Sequence, residues 1–305
     1  MITHYFRTIK DTELKQIEEI RAGVWTHAVA PSSDELKELI ALYALDDAIV
    51  ADAQDYFEVP RMERAGGVTY FFTRYPFEGK NQDTAPLLIV VGESFILTIA
   101  LEEVPQFKAF FDGSVDMYTT QKAKAFIQIM DSITSSYQKV LLRFRKSVQR
   151  DRTRLRRIGA RDIERLVDYE DALNEIIAAL IPINTTLQQV TGGNYMQLYN
   201  EDIELMQDLT IANSQLIDSA RSVLKTIQNI RSAMESILTN RLNFSIRTLT
   251  ILTILLTIPT IVASLYGMNV PLPFSHNSYA FWFVLGFIVI AVATVLVLFK
   301  RFKWL

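Results

Sequence analysis

A stripe of small polar residues runs along the apolar segment near the end of the sequence. Residues at steps of three and four share one face of an α-helix. Hydroxyl and amide oxygens on such a face can accept hydrogen bonds from the water around a cation, so the stripe is typical of the wall of an ion pathway. We call it the polar seam, and it consists of Asn243, Ile246, Thr250, Thr253, Thr257, Thr260, Ser264 and Gly267.

Two interpretations of the polar seam stay open at this stage. Threonines in a membrane helix also donate hydrogen bonds to the carbonyl four residues earlier, and they let helices pack closely. One amphipathic helix cannot enclose a pore, whereas a symmetric ring of such helices can, and a ring requires a homo-oligomer. The seam favours a pore because it continues a long helix and ends at Tyr266-Gly267-Met268-Asn269.

The segment that carries the seam is predicted to span a membrane. No Lys, Arg, Asp or Glu occurs between Thr248 and Phe299. Two apolar runs, Thr248–Tyr266 and Tyr279–Phe299, each match the roughly 30 Å thickness of the hydrocarbon core when they are helical. The link between them, Gly267–Ser278, is short, so the two runs form a hairpin.

Flanking charges predict the orientation of this hairpin. Arg241 and Arg247 precede the first run, Lys300 and Arg301 follow the second, and the link contains no Lys or Arg. By the positive-inside rule both termini are cytoplasmic and the link is external.

The first part of the chain, 1–117, is predicted to be a mixed α/β domain. Apolar, β-branched runs between turn-forming residues predict strands, and they lie at Gly67–Thr73, Pro86–Val91, Ser94–Ala100 and, more weakly, Gly23–Ala28. Between Pro31 and Ala53 the spacing of apolar residues predicts a helix. Its proposed N-cap is Ser32 or Ser33, ahead of Glu35, and its apolar positions are Leu36, Leu39, Leu42, Leu45 and Ile49.

After this domain the pattern is almost wholly helical. We predict three helices, at about 118–157, 160–190 and 196–266, and the last continues into the membrane. Residues 139–165 are strongly basic and are interpreted either as a solvated face or as a contact with anionic lipid or with acidic faces of neighbouring subunits. The basic residues of this segment are Lys139, Arg143, Arg145, Lys146, Arg150, Arg152, Arg154, Arg156, Arg157, Arg161 and Arg165.

Composition argues against several other classes of protein. The chain has no cysteine, which removes disulfides and thiolate chemistry. The histidines, His4, His27 and His276, are scattered, and no P-loop, Gly-x-Ser-x-Gly or His-Glu-x-x-His motif occurs. A net charge of −3 gives no reason to expect nucleic acid as a partner. An enzyme is therefore not expected.

Tyr266-Gly267-Met268-Asn269, at the outer end of the first of two C-terminal apolar helices, resembles the CorA family of Mg²⁺ channels, whose signature is Gly-Met-Asn in this place. The second helix and the basic end Lys300–Leu305 complete the resemblance. It implies a homopentameric funnel, in which an N-terminal cytosolic α/β domain is followed by long helices and two C-terminal transmembrane helices. The implied divisions are an α/β domain at 1–117, a folded-back helical pair at 118–195, a stalk helix at 196–247, a pore-lining span at 248–266, an external loop at 267–278, a second span at 279–299 and a basic cytosolic tail at 300–305.

The resemblance also implies roles for individual residues. Gly267, Met268 and Asn269 match the outer selectivity ring, and Asn243 matches a polar pore position near the cytoplasmic mouth. Ile246 and Leu249 match an apolar constriction. Asp208 falls where the family places a carboxylate of an intersubunit Mg²⁺-sensing site, and Asp83 is a weak candidate for its partner. The implied pore wall is Thr253, Thr257, Thr260 and Ser264.

The expected ion is Mg²⁺, both transported and regulatory, with Co²⁺ or Ni²⁺ as further substrates and no organic cofactor. The expected partners are further copies of the chain and the lipid bilayer of the plasma membrane. The loop after the signature lacks the acidic residues that many family members carry, since it reads Val270-Pro271-Leu272-Pro273-Phe274-Ser275-His276. Two alternatives stay open, a Zn²⁺ transporter of the ZntB type and a non-conducting membrane sensor or scaffold.

Overall fold

The computed structural model describes residues 1–77, 84–153, 160–193, 195–269 and 279–302. The chain divides into two compact units, Met1–Arg231 and Ser232–Leu305. The first unit contains the α/β part and its helices, and the second contains the apolar helical part. The finer domain limits drawn from the sequence stay predictions.

One mixed β-sheet organises the first unit. In the described part of the chain its strand order is β2-β1-β3-β7-β6-β5-β4. Strands β3 and β7 pair in parallel, and the other neighbours pair antiparallel. The strands are β1 Ile2–Phe6, β2 Lys15–Ile17, β3 Val24–Val29, β4 Arg61–Ala65, β5 Val68–Pro76, β6 Thr84–Val91 and β7 Phe95–Ala100.

The predicted strands are found as β3, β5, β6 and β7, which form the buried middle of the sheet. Every residue of β5, β6 and β7 is buried, because helices cover both faces of the sheet. Alternate residues of a strand point to opposite faces, so Tyr70 and Phe72 join the core on one face. Phe71 packs on the other face, where its ring lies 4.4 Å from that of Phe126.

Two short helices cover the first face, and here one prediction is wrong. The predicted N-cap is confirmed, since Ser32 forms a capping box with Glu35 at the start of α1, Ser33–Tyr43. The predicted helix does not continue to Ala53, because Ala44 adopts a left-handed conformation with φ of 50° and ends α1. A second helix, α2, then begins at Asp47 and ends at Ala51.

Long helices cover the other face. A short helix, α3 Lys108–Phe111, precedes α4 Lys122–Thr153, which is followed by α5 Ala160–Thr191 and α6 Asn200–Tyr266. These confirm the three predicted helices, although α4 and α6 begin about one turn later than predicted. The start of α6 is fixed by a side chain, since the Asp202 carboxylate accepts a hydrogen bond from the backbone N–H of Tyr199.

A buried polar network ties α4 and α5 to the sheet. The Arg74 guanidinium on β5 donates hydrogen bonds to the hydroxyl and the carbonyl of Thr84 on β6. Thr84 in turn donates from its N–H and its hydroxyl to the Glu175 carboxylate on α5. On α4, the Tyr137 hydroxyl donates to the Arg74 carbonyl. Because every member has a partner, the network positions the helices without a large desolvation penalty.

Helices α5 and α6 run antiparallel within the first unit. The Asn213 side chain donates a hydrogen bond to the Leu180 carbonyl at 3.0 Å. Eighteen residues further along α6, Arg231 forms an ion pair with Glu170 at a distance of 2.8 Å. Because Glu170 precedes Leu180 on α5, the two helices run in opposite directions. The second unit contains the remainder of α6 and the last helix, α7 Ala280–Arg301.

Candidate ion-conduction helix

Two helices are long and apolar enough to cross a membrane. Among the described residues they are α6, through its C-terminal part, and α7. Lys300 and Arg301 lie in the last turn of α7, and Arg241 and Arg247 lie on α6 before its uncharged part. The predicted spans are therefore helical, while most of the predicted external loop, at 270–278, lies outside the described residues.

The threonines of the polar seam all use their hydroxyl protons in the same way. Each donates a hydrogen bond to the carbonyl oxygen one turn earlier on α6. The pairs are Thr250 with Ile246 at 2.8 Å, Thr253 with Leu249 at 2.9 Å, Thr257 with Thr253 at 2.7 Å, and Thr260 with Leu256 at 2.7 Å.

This bonding leaves the seam hydroxyls as hydrogen-bond acceptors. A hydroxyl that donates its proton to the backbone keeps two lone pairs on oxygen. The seam therefore presents hydrogen-bond acceptors, which suit the outward-pointing O–H groups of a hydrated cation. The same bond occurs off the seam at Thr248 and Thr294. Backbone bonding and a pore wall are thus compatible, and the bond alone does not define a pore.

Exposure distinguishes the two faces of α6. In a single chain the seam is open, with Asn243, Thr253, Thr257, Thr260 and Ser264 all exposed. The apolar seam residue Ile246 is 61% exposed and its neighbour Leu249 is 64% exposed. The less exposed positions in the uncharged part of α6 are Thr250, Ile251, Ile254, Leu255, Ile258, Pro259 and Val262, and those of α7 are Ala280, Val284, Ile288, Ala291, Val292, Val295 and Phe299. Both sets repeat every three or four residues, as a packed helix face does.

The three signature residues follow the end of α6 directly. The N–H of Gly267 bonds to the Ala263 carbonyl at 2.9 Å, and the N–H of Met268 bonds to the Leu265 carbonyl at 3.3 Å. Asn269 comes next and is exposed. The C-terminus of an α-helix carries a partial negative charge of about half an electron. A cation near Asn269 is therefore favoured by the helix as well as by the amide oxygen.

Gly267 has room for a side chain within its own chain. A β-carbon placed there would lie 3.4 Å from the Ala263 carbonyl oxygen and 3.6 Å from that of Ser264. Both are ordinary contact distances, and the backbone of Gly267 is not among the positive-φ conformations of the chain. A requirement for glycine here would therefore come from a neighbouring copy or from the ion.

The candidate regulatory carboxylates are not brought together by the described structure. Asp208 lies on α6 in the first unit and is exposed. Asp83 lies outside the described residues. Over the described ranges, no group of three or more His, Asp or Glu side chains is arranged to hold a metal ion. The intersubunit site therefore stays a prediction.

The α/β domain, the long helices and the two C-terminal helices able to cross a bilayer define a membrane ion transporter with a two-helix membrane part. The chain belongs to the CorA-like Mg²⁺ transporter family, whose model matches residues 21–301. The cobalt/magnesium transport protein CorA of Methanocaldococcus jannaschii is 23% identical over 293 residues, which cover 92% of this chain and 91% of that protein. Family membership confirms the predicted family and the expectation of a transporter rather than an enzyme.

Solved structures confirm the fold. The complete CorA magnesium transporter of M. jannaschii superposes with a TM-score of 0.89 at 19% identity, over 100% of this chain and 99% of that one. The cytoplasmic domain of ZntB from Vibrio parahaemolyticus gives 0.63 at 10% identity, over 78% of this chain and 98% of that one. The α/β domain, the long helices and the two apolar helices are thus those of a CorA-type fold.

Proposed function

We propose that this protein carries divalent metal cations across a membrane, Mg²⁺ first among them, through a pore lined by α6 from several copies. The observation that carries the proposal is the polar seam, which is exposed along α6 at every position except the half-buried Thr250 and ends at Gly267-Met268-Asn269. Membership in the CorA-like family supports divalent cation transport as the activity. Co²⁺ and Ni²⁺ are further candidate substrates.

The chemistry of the seam suits a hydrated ion. Mg²⁺ holds its water tightly and prefers octahedral oxygen coordination. Its first-shell waters point their protons outward, and the hydroxyl oxygens of Thr253, Thr257 and Thr260 are free to accept from them. A neutral wall binds weakly, and conduction requires sites that an ion can leave.

Selectivity is proposed for the outer mouth. A ring of Asn269 amide oxygens, one from each copy, would accept hydrogen bonds from the intact water shell without removing it. Gly267 and Met268 hold this ring at the end of α6, where the helix C-termini add negative potential. This arrangement matters here because the loop after the signature has no carboxylate to concentrate cations.

A gate is proposed at the other end of the seam. Ile246 lies on the polar seam and Leu249 lies beside it, and both are exposed apolar residues. Rings of such side chains close a pore by excluding water. Asn243, one turn further from the signature, would form a polar position at the cytoplasmic mouth. Mg²⁺ bound by Asp208 and a carboxylate such as Asp83 of another copy would favour the closed state.

The assembly proposed is a homopentamer in the plasma membrane with both termini in the cytoplasm. The number of copies is the one that the resemblance to the CorA family implies. Basic residues that flank both spans, Arg241, Arg247, Lys300 and Arg301, support the orientation. In this orientation an inside-negative potential of 100 mV would drive a divalent cation inward with about 4.6 kcal/mol.

The test is Mg²⁺ influx into proteoliposomes under an inside-negative potential, with wild type beside Asn269→Ala and Thr248→Val. Wild type and Thr248→Val should conduct equally. Asn269→Ala should lose more than about tenfold of the influx, because each lost hydrogen bond to a charged species costs about 1.5–3 kcal/mol. Equal influx with Asn269→Ala would place selectivity elsewhere.

Absence of Mg²⁺ influx in correctly assembled wild type would overturn the choice of ion. Zn²⁺ influx in the same vesicles would then support the ZntB-type activity. No influx of Mg²⁺, Co²⁺, Ni²⁺ or Zn²⁺ would leave a membrane-anchored sensor or scaffold.

A further inference from the structure

An ion pair joins α5 to α6 at the end of the first unit. The Arg231 guanidinium donates a hydrogen bond to the Glu170 carboxylate at 2.8 Å, and Arg231 is the last residue of that unit. The Glu170 side chain is 17% exposed and that of Arg231 is 45% exposed, so the pair is partly shielded from water. A charge-assisted bond of this kind is stronger than one between neutral groups. We call this ion pair the interhelical tie.

The Glu170 carboxylate has no cation to pair with on its own helix. Side chains that are three or four residues apart are neighbours on a helix surface. Around Glu170 these positions hold uncharged residues, namely Leu166, Val167, Leu173 and Asn174. The carboxylate is therefore paired from α6 and not from α5, and the interhelical tie connects one helix to the other.

A buried contact fixes the same two helices at another level. Asn213 on α6 is fully buried, and its side chain donates a hydrogen bond to the Leu180 carbonyl of α5 at 3.0 Å. The hydroxyl of Ser214, the next residue, donates to the side-chain oxygen of Asn184 at 3.3 Å. Separating such groups without new partners is costly. Asn213 is therefore a fixed point about which α6 can turn relative to α5.

The interhelical tie is stretched along the two helices. Arg231 lies 18 residues beyond Asn213 on α6, whereas Glu170 lies ten residues before Leu180 on α5. At 1.5 Å of rise per residue, the backbone of Arg231 is displaced from that of Glu170 by roughly 12 Å along the pair. Side chains tilt towards the N-terminus of their own helix, so on antiparallel helices these two lean towards each other. Both must extend to meet, and the tie has little slack.

The interhelical tie also lies far from the fixed point, where a turn of α6 has the largest effect. The distance along α6 from Asn213 to Arg231 is about 27 Å. A turn of about 10° at Asn213 would displace Arg231 by about 5 Å. An ion pair that is already extended cannot follow a movement of this size. The tie therefore forms in one arrangement of α5 and α6 and breaks when α6 turns.

Beyond the interhelical tie, α6 continues without interruption into the polar seam. It is one helix from Asn200 to Tyr266. From Glu235 to Leu249 every residue is exposed apart from the half-buried Ile237. This part of α6 therefore receives little packing from its own chain, and its direction depends on how the helix is held before it.

We propose that Glu170 is a positioning residue for the pore helix, and that the interhelical tie holds α6 in the closed arrangement. The inference rests on the proposed function, in which α6 lines the pore and bound Mg²⁺ favours the closed state. A pore lined by α6 opens only if the copies of α6 move, and a turn of α6 about Asn213 breaks the tie. The tie therefore adds to inhibition by Mg²⁺ without binding the ion.

The first test is influx into proteoliposomes over a series of internal Mg²⁺ concentrations. Glu170→Gln and Arg231→Gln should each raise the half-inhibiting concentration by roughly two- to fivefold, which is the effect of a partly exposed ion pair. The double variant should shift it no further, because both changes remove the same interaction. The exchanged pair, Glu170→Arg with Arg231→Glu, should restore the wild-type curve. Glu164→Gln, which removes an exposed carboxylate of α5, is the matched control.

A covalent link in place of the interhelical tie is the second test, because the native chain has no cysteine. Glu170→Cys with Arg231→Cys is joined by a cleavable bis-methanethiosulfonate reagent, and denaturing gels confirm that the link lies within one chain. Before linking, this variant should behave like Glu170→Gln. After linking, influx should stay at the inhibited level even when internal Mg²⁺ is low, and cleavage by a reductant should restore it. Each single-cysteine variant, treated in the same way, is the control.

Three results would overturn the inference. One is a half-inhibiting concentration that is unchanged or lowered in Glu170→Gln, and another is an exchanged pair that does not restore the curve. The third is unaltered influx in the linked protein. A lower thermal midpoint with an unchanged Mg²⁺ curve would make the ion pair a structural contact only.

The rate of linking gives a readout that needs no ion flux. Linking of the double-cysteine variant should be roughly two- to fivefold slower when Mg²⁺ is removed with a chelator, because the two positions then spend less time together. Mg²⁺-dependent linking in a protein that does not conduct would refute transport and leave the tie intact. Conduction in a protein whose linking ignores Mg²⁺ would refute the tie and leave the proposed function intact.

Discussion

The Thr257 hydroxyl donates its proton to the Thr253 carbonyl oxygen, one turn earlier on α6, at a distance of 2.7 Å. The bond repeats along the polar seam, so each seam threonine satisfies a donor within its own helix. Inside a bilayer an unsatisfied donor would be costly. The remaining lone pairs make the seam a line of acceptors, which is the basis of its proposed role as the wall of a cation pathway.

Thr257→Val tests this line of acceptors. Valine keeps the branched shape and helix fit of threonine but offers no oxygen. The net value of one hydrogen bond is about 1 kcal/mol, so Mg²⁺ influx should fall roughly five-fold. The measurement is initial influx into proteoliposomes at matched protein content.

Thr248→Val is the matched control for this variant. Thr248 forms the same backbone bond, to the Phe244 carbonyl at 2.9 Å, but it lies on the opposite side of α6 from the seam. Its influx should equal that of wild type. Equal losses in Thr248→Val and Thr257→Val would show that the helix, and not the seam, had been perturbed.

Gly267→Ala tests whether the glycine is required by the fold of a single chain or by contacts between copies. The added methyl group meets carbonyl oxygens of its own helix at 3.4 and 3.6 Å, which is ordinary contact. The variant should therefore fold and assemble with a thermal midpoint close to that of wild type. Influx should nevertheless fall by about an order of magnitude if the copies crowd together at Gly267, since overpacking costs about 1–3 kcal/mol.

Gly286→Ala on α7 is the control for this substitution, because a β-carbon at Gly286 meets nothing within 4 Å. It should conduct like wild type. Undiminished influx in Gly267→Ala would instead mean that the outer mouth of the pore accommodates a methyl group at this position. Selectivity would then rest on Asn269 alone.

Asp208→Ala tests the proposed regulatory site. If Mg²⁺ bound at Asp208 favours the closed state, removal of its carboxylate should raise influx when internal Mg²⁺ is high and leave it unchanged when internal Mg²⁺ is low. The measurement is influx against a series of internal Mg²⁺ concentrations. Asp218→Ala, which removes another exposed carboxylate of α6, should follow the wild-type curve. Unchanged inhibition in Asp208→Ala would remove this residue from the site.

The membrane part was predictable because its signals are long and periodic. Two uncharged runs of about 20 residues match a bilayer, and the polar seam repeats at helical spacing over six turns. The direction of the threonine hydroxyls was not predictable, because the same sequence allows a hydroxyl to face either the backbone or a pore. Asp83 lies outside the described residues, so its role in the regulatory site stays a prediction.

In the α/β domain the buried strands were predictable and the edges were not. Strand β4, Arg61–Ala65, is an edge strand with little apolar alternation. Its Arg61 is held instead by side chains from outside its own ladder, among them Asp52 and Glu58. Such pairing depends on tertiary context, which outweighs local β propensity. The end of α1 at Ala44 was not predicted either. Alanine rarely takes a left-handed conformation, so its presence gives no signal that a helix stops there.

The last prediction concerns the stability of the α/β domain in acid. His27 is buried on β3, its Nδ1 lies 2.8 Å from the Thr98 hydroxyl, and its ring packs 5.1 Å from that of Phe107. Burial lowers the pKa of His27 from its usual 6.5 to about 4. Between these values the unfolded chain binds a proton that the folded domain does not. Stability is therefore fully present above about pH 6.5 and is lost as the pH falls towards 4, by about 3 kcal/mol in all.

His27→Gln is the variant that isolates this effect, because glutamine can still bond to Thr98 but does not titrate. Unfolding is followed by the fluorescence of Trp25, whose ring lies 5.8 Å from that of His27, in a background of Trp282→Phe and Trp304→Phe. The free energy of unfolding should fall more steeply from pH 6.5 to pH 4 in the background protein than in His27→Gln. Parallel curves would mean that carboxylates alone cause the acid sensitivity, and that His27 is charged in the folded domain or neutral in both states.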